Sequence, residues 1–190
     1  MIIMVNSFMH QSSAFGGELL AANSILFQIQ FIMGDILTGL SQAGAIYSGI
    51  AFGEHNKPML NDTLRISFIW AIGFGLAQSV FYYACRHSIL SCFTDLPNVI
   101  ATAQEYDLFI AFFPLISALG IVYYGIFNGA LYTKPICISM LITVGCYLTA
   151  YFTLIPLYGN IGLWLAFLVF YIARSGFLLL FVPKLQQRFV

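Results

Sequence analysis

Between Pro135 and Ala173 the chain reads PICISMLITVGCYLTAYFTLIPLYGNIGLWLAFLVFYIA, 39 residues without a charged side chain. A helix rising about 1.5 Å per residue needs about 20 apolar residues to cross the hydrocarbon of a bilayer. The run is therefore long enough for two crossings, with the turn residues of Pro156-Leu-Tyr-Gly-Asn160 between them. Two more uncharged runs precede it, Ile66–Cys85 with 20 residues and Leu108–Thr133 with 26. None of these runs alternates polar and apolar residues as a barrel strand does. Charged residues are 7% of the chain and hydrophobic ones 61%, against the roughly 25% charge of a soluble domain. The fold class that follows is all-α: a polytopic transmembrane helix bundle of about five full helices and a partial first one.

The whole chain, 1–190, reads as a single transmembrane domain with helices at about 2–14, 19–53, 64–85, 108–132, 135–155 and 161–182. Residues 86–107 are expected to form a polar connection, with Pro97 and Asn98 as turn residues. Pro135 is expected to open the fifth helix and Pro183 to end the sixth. Pro114 is expected to kink the fourth. Met1–Phe15 has no basic beginning and is interrupted by Asn6, His10 and Gln11, so it does not read as a signal peptide.

Lysine and arginine placement orients the bundle. Lys57, Arg65, Lys134, Lys184 and Arg188 fall on one side of the alternating connections, and Arg86 alone on the other. The expected product is a multi-pass protein of the inner (plasma) membrane with a cytoplasmic C-terminus. Zero net charge implies no nucleic-acid partner. Cys85, Cys92, Cys137 and Cys146 lack paired spacing and are expected to be small core hydrophobes. The three histidines are scattered, which speaks against a metal site.

Polar groups at membrane depth are costly unless paired or facing a cavity, so they are the functional pointers. Asp35 is the carboxylate within an apolar segment, with Gln28, Thr38 and Gln42 at helical spacing on its face. A proton- or cation-binding carboxylate in a water-filled cavity is one reading, and a carboxylate held only for structure is the other. Tyr123, Tyr124 and Asn128 lie deep in the fourth segment and suit a large, partly apolar ligand. Arg174, mid-way along the sixth, is expected to pair with a carboxylate or snorkel to an interface. Gly34-Asp35 and Tyr106-Asp107 resemble the two aspartate motifs of intramembrane proteases, but in reversed order. No HExxH or GxSxG occurs, so an enzyme is not expected.

The stretches Asp35-Ile-Leu-Thr-Gly-Leu-Ser-Gln-Ala43 and Gly49-Ile-Ala-Phe-Gly-Glu-His-Asn-Lys57 resemble the first complete helix of the C-terminal lobe of MATE (multidrug and toxic compound extrusion) transporters and its exit. Cys92-Phe-Thr-Asp-Leu-Pro-Asn-Val99 resembles their external LFTxDPxV connection, and Tyr124-Gly-Ile-Phe-Asn-Gly-Ala130 their DGIFxGA motif. Gly159–Arg174 is similar to the last helix of the DNA-damage-inducible (DinF-type) branch. The resemblance implies a twelve-helix exporter of two lobes driven by Na⁺ or H⁺, of which this chain holds the end of the seventh helix and the eighth to twelfth. It also implies acids at positions 38, 45 and 124, where Thr38, Ala45 and Tyr124 stand.

The function expected is the C-terminal half of an H⁺- or Na⁺-coupled multidrug or metabolite antiporter, a fragment needing an N-terminal lobe that could be a separate chain. Its expected partners are a small organic substrate, cationic or amphipathic, and the lipid bilayer. No cofactor beyond the coupling ion is expected. The substrate- or ion-binding candidates are Asp35, Thr38, Gln42, Tyr124, Asn128 and Arg174, with no catalytic residue and no metal ligand. Two alternatives stand beside this: a non-transporting membrane remnant or interaction protein, and a lipid-linked oligosaccharide flippase. A flippase cavity is expected to be richly cationic, whereas Arg174 is the base at depth here.

Overall fold

A computed structural model describes residues 2–188. The described residues form helices with no strand: α1 (Ile2–Ala14), α2 (Gly17–Gly53), α3 (Lys57–Ser91), α4 (Pro97–Gly129), α5 (Thr133–Tyr158), α6 (Asn160–Leu180) and a short α7 (Val182–Gln187). Five spans are long and apolar enough to cross a membrane, the last running through α6 and α7. The chain is a multi-pass membrane protein.

The helices outrun the lipid. At about 1.5 Å per residue, the 37 residues of α2 span roughly 55 Å and the 33 of α4 roughly 50 Å, against about 30 Å of hydrocarbon. Here the structure corrects the sequence reading. Residues 86–91 and 97–107, read as a connection, are helical ends of α3 and α4. Hydropathy reports only the part of a helix that lies in lipid, so their charges hid these extensions. The proline readings also change. Pro156 lies inside α5, and the break falls at Gly159, whose φ of 56° and ψ of −126° suit a residue without a Cβ. Pro135 stands in the first turn of α5, which Thr133 opens. Pro183 starts α7 rather than ending α6. Pro114 lies inside the fourth span, as read from the sequence.

Side-chain burial places α4 at the centre, packed on α2, α3 and α6. Lipid is as apolar as a core, so close packing and hydrogen bonds, not water exclusion, must hold these helices together. Glycines supply the packing. A Cβ on Gly125 would collide with the Ser41 carbonyl of α2, and one on Gly129 with the Ala45 carbonyl. The Gly125–Gly129 pair is thus a seam within the chain. Gly49 of α2 packs against the Gly129 backbone on the same seam. Hydroxyls fasten the same seam: Ser41 Oγ donates to the Ile121 carbonyl at 2.7 Å and Ser48 Oγ to the Ile126 carbonyl at 3.0 Å. Tyr123 Oη ties α4 to α3 through the Leu64 carbonyl at 3.2 Å.

A second fastening joins α1, α2 and α6. The buried Asn23 amide donates to Ser12 Oγ at 2.7 Å and to Asn160 Oδ1 at 2.8 Å, and it accepts from Trp164 Nε1 at 3.0 Å. Phe8, Phe27, Trp164 and Phe167 pack edge-on beneath it. The cysteine expectation fails: Cys92 and Cys137 are exposed and Cys85 and Cys146 half-buried, all free thiols. An apolar flank does not mark a core when the exterior is also apolar.

The C-terminal ends of α2 and α4, each followed by a lysine in the next helix, close alike. His55 and Leu131 adopt φ of 52°, and the following N–H groups of Asn56 and Tyr132 reach back to the Ala51 and Phe127 carbonyls at 2.8 and 2.9 Å. Asn56 then caps α3 through the Met59 N–H at 3.0 Å. Arg188 lies over the rings of both Phe52 and Tyr132, at 5.7 and 4.7 Å. This gathers the α2–α3 turn, the α4–α5 turn and the C-terminal segment at one end of the bundle.

Candidate functional site

Three helices converge on a cavity of about 490 Å³. On α2, Asp35, Thr38 and Gln42 recur at three- and four-residue spacing and so line it as one stripe. Tyr124 and Asn128, one turn apart on α4, form the second wall. Tyr171 and Arg174, three apart on α6, form the third. All six residues singled out in the sequence therefore border the same space.

The seam positions them. Gly125 and Gly129 bring α4 against the backbone of α2, which sets Tyr124 and Asn128 beside Gln42. On the other side, Ser175 Oγ accepts from the Gly120 N–H at 3.0 Å and donates to the Ile116 carbonyl at 2.8 Å. Those two groups are i and i−4 partners in an α-helix. A side chain of α6 is thus inserted into the ladder of α4, six residues after Pro114. Fixing Ser175 fixes the rotation of its neighbour Arg174, which turns toward the cavity.

Arg174 Cζ lies 5.2 Å from the centre of the Tyr124 ring, a cation–π contact. The expected carboxylate partner is not found: among the described residues the one ion pair is Arg86–Asp107, far along α3 and α4. Asp35 is exposed on the cavity side of α2, without an ion pair among the described residues. Thr38 Oγ1 donates to the Gly34 carbonyl of its own helix at 2.9 Å, leaving its lone pairs for a ligand. Thr38, Ala45 and Tyr124, where the resemblance implied acids, all border the cavity.

Two expectations on this face are corrected. Gln28 is exposed and lies off the cavity, seven residues and about 10 Å along the axis from Asp35. Tyr123 is buried and spends its hydroxyl on α3, because adjacent helical residues point about 100° apart and only Tyr124 can face the cavity. Two residues at the wall were not among the candidates, although Gln30 stands near Asp35 in the sequence. Gln30 is buried at the cavity wall, its Oε1 without a hydrogen-bond partner among the described residues, and Tyr171 is 4% exposed one turn before Arg174. The i−3 spacing from Arg174 was the signal for Tyr171. A larger groove of about 760 Å³ between α2 and α3 is lined by Tyr47, Trp70 and Phe74, with Asp62 as its single charge. No group of residues able to hold a metal occurs among the described residues.

Comparison with known proteins places this architecture. The MatE family model matches residues 1–153. The chain belongs to the MatE family. It is 26% identical over 160 residues to the DNA damage-inducible protein F of Escherichia coli (strain K12), covering 84% of this chain and 35% of that protein. It is 28% identical over 178 residues to the multidrug and toxin extrusion protein 1 of Xenopus tropicalis, covering 89% of this chain and 30% of that protein. The chain thus spans about a third of the length of these relatives. In fold it is similar to a crystal structure of a MATE in the bent conformation, with a TM-score of 0.86 and 19% identity, over 96% of this chain and 42% of that one. The family's members are transporters and not enzymes.

Proposed function

We propose that this MatE chain is the C-terminal lobe of a cation-coupled efflux antiporter of the DinF-type branch. It would work against a second lobe, supplied by the same polypeptide or by another chain. The observation that carries the reading is the convergence of Asp35, Thr38, Gln42, Tyr124, Asn128 and Arg174 on one cavity within the membrane-spanning helices. Transporters of this kind hold substrate near the midplane and rock one lobe against the other. The cavity walls combine aromatic and amide surface, which suits amphipathic small organic molecules, and Asp35 can meet a cationic group or the coupling H⁺ or Na⁺. The five basic residues gathered toward one end support an inner-membrane protein with that end, and the C-terminal segment, in the cytoplasm.

The test is dye efflux from vesicles energised with a proton or a Na⁺ gradient, with the chain alone and with an N-terminal lobe co-reconstituted. Gradient-dependent efflux with the lobe present is expected, and its loss in Asp35→Asn. No efflux in either arrangement would overturn the proposal. Intact coupling in Asp35→Asn would remove Asp35 from the ion site.

A further inference from the structure

We propose that the α2–α4–α6 cavity takes amphipathic molecules bearing an acidic group, a carboxylate, sulfonate or phosphate, which seats on Arg174. This rests on the reading of the cavity as the substrate site and specifies the chemistry it selects. The charge inventory of the walls carries the argument. Two charged residues border the cavity, Asp35 and Arg174, and they do not pair with each other. Arg174 makes no ion pair and no hydrogen bond to a described residue; the groups that face it are two tyrosines, Tyr171 on its own helix and the ring of Tyr124. A guanidinium carries five N–H donors in a planar fork, and a ring face satisfies none of them. In a cavity that water reaches, solvent meets those donors when no ligand is present, and a bound anion that displaces the water replaces its contacts with charge-assisted hydrogen bonds, which are about twice as strong as neutral ones.

The surroundings fit that occupant. The Gln42 and Asn128 side chains on the opposing walls offer amide N–H donors beside the guanidinium's space. The Tyr124 ring, 5.2 Å from Cζ, attracts the guanidinium charge without accepting from its N–H fork, and that fork is what a carboxylate or phosphate engages in bidentate fashion. Asp35, exposed on α2, would repel a simple anion modestly but would attract the ammonium of a zwitterion. Zwitterionic and anionic amphiphiles are therefore preferred over cations of equal apolar bulk.

A matched dye series tests this on the full chain in lipid nanodiscs: dansylglycine (anion), ε-dansyl-lysine (zwitterion), dansyl amide (neutral) and dansylcadaverine (cation), followed by dansyl fluorescence. The anion and zwitterion are expected to bind at least tenfold more tightly than the cation. Arg174→Gln is expected to weaken the anion and zwitterion by about 10- to 100-fold, the worth of one charge-assisted pair, while dansyl amide changes less than twofold. Arg174→Lys, which keeps the charge but not the fork, recovers part of the loss. Asp35→Asn is expected to hold or tighten the anion. Tight binding of the cation alone, or equal loss of all four dyes in Arg174→Gln, would overturn the assignment, as would failure of every dye to bind. The vesicle experiment reads transport independently, so a wrong charge preference with intact efflux would sink this inference and leave the lobe assignment standing.

Discussion

Gly125→Ala is the sharpest probe of how the cavity is assembled. The added Cβ would fall on the Ser41 carbonyl, a backbone atom that cannot rotate away. Carbon and oxygen need more than 3 Å, so α2 and α4 must separate by roughly 1 Å. That displacement stretches the Ser41–Ile121 bond of 2.7 Å and the Ser48–Ile126 bond of 3.0 Å beyond useful range. Interhelical bonds of this kind contribute about 0.6 kcal/mol each on average and up to about 1.7. With lost dispersion and overpacking of about 1–3 kcal/mol, the cost comes to about 2–6 kcal/mol. Gly145→Ala, in open space on α5, is the control. It should be neutral or stabilising by up to about 1 kcal/mol, because alanine favours helix. Equilibrium unfolding in mixed micelles, followed by helical circular dichroism, compares the two. If Gly125→Ala proved as stable as Gly145→Ala, the glycine seam would not be what sets α2 against α4.

Further outcomes follow from other contacts. Arg86→Ala should destabilise more than Asp107→Asn, by about 1–3 kcal/mol in the same assay, because it strands a carboxylate that is 1% exposed and lies 3.4 Å from the guanidinium; the 41% exposure of Arg86 sets the lower end. Asn23→Leu should cost about 2–4 kcal/mol, since Ser12, Asn160 and Trp164 all lose a partner, and tryptophan emission should report the change at Trp164. Leu131→Gly should stabilise by about 1 kcal/mol, read as a higher midpoint of unfolding, because Leu131 holds φ of 52° while 68% exposed.

The number of spans and the shared cavity were legible because membrane sequences write them plainly. Uncharged runs give crossings, and rare polar residues within them have few places to go. Asp35, Thr38 and Gln42 share a face by spacing alone, but their meeting with Tyr124, Asn128 and Arg174 depends on which helices adjoin. Polarity at membrane depth marks each of these residues singly and does not say that they face one space. Helix ends were illegible, because Arg86, Glu105 and Asp107 sit on helices that continue past the lipid. Arg86–Asp107 itself was hidden for the same reason: the two lie 21 positions apart on separate helices and meet only when α3 packs on α4. The partner of Arg174 was misjudged because sequence shows which charges exist, and not that the facing residue on α4 would be a ring. Burial of cysteines failed on a general ground, since a lipid-facing surface and a core share one composition.

Cysteine accessibility in a background lacking Cys85, Cys92, Cys137 and Cys146 tests the central claim most directly, namely that a water-reachable ligand cavity lies among the spans. Single cysteines at Thr38 and Asn128, on the cavity walls, are compared with one at Leu141, 75% exposed on the outside of α5. The account predicts rapid modification of the first two by a charged thiosulfonate in intact proteoliposomes, and none at 141, where lipid excludes the reagent. Protection at 38 and 128 equal to that at 141 would contradict it.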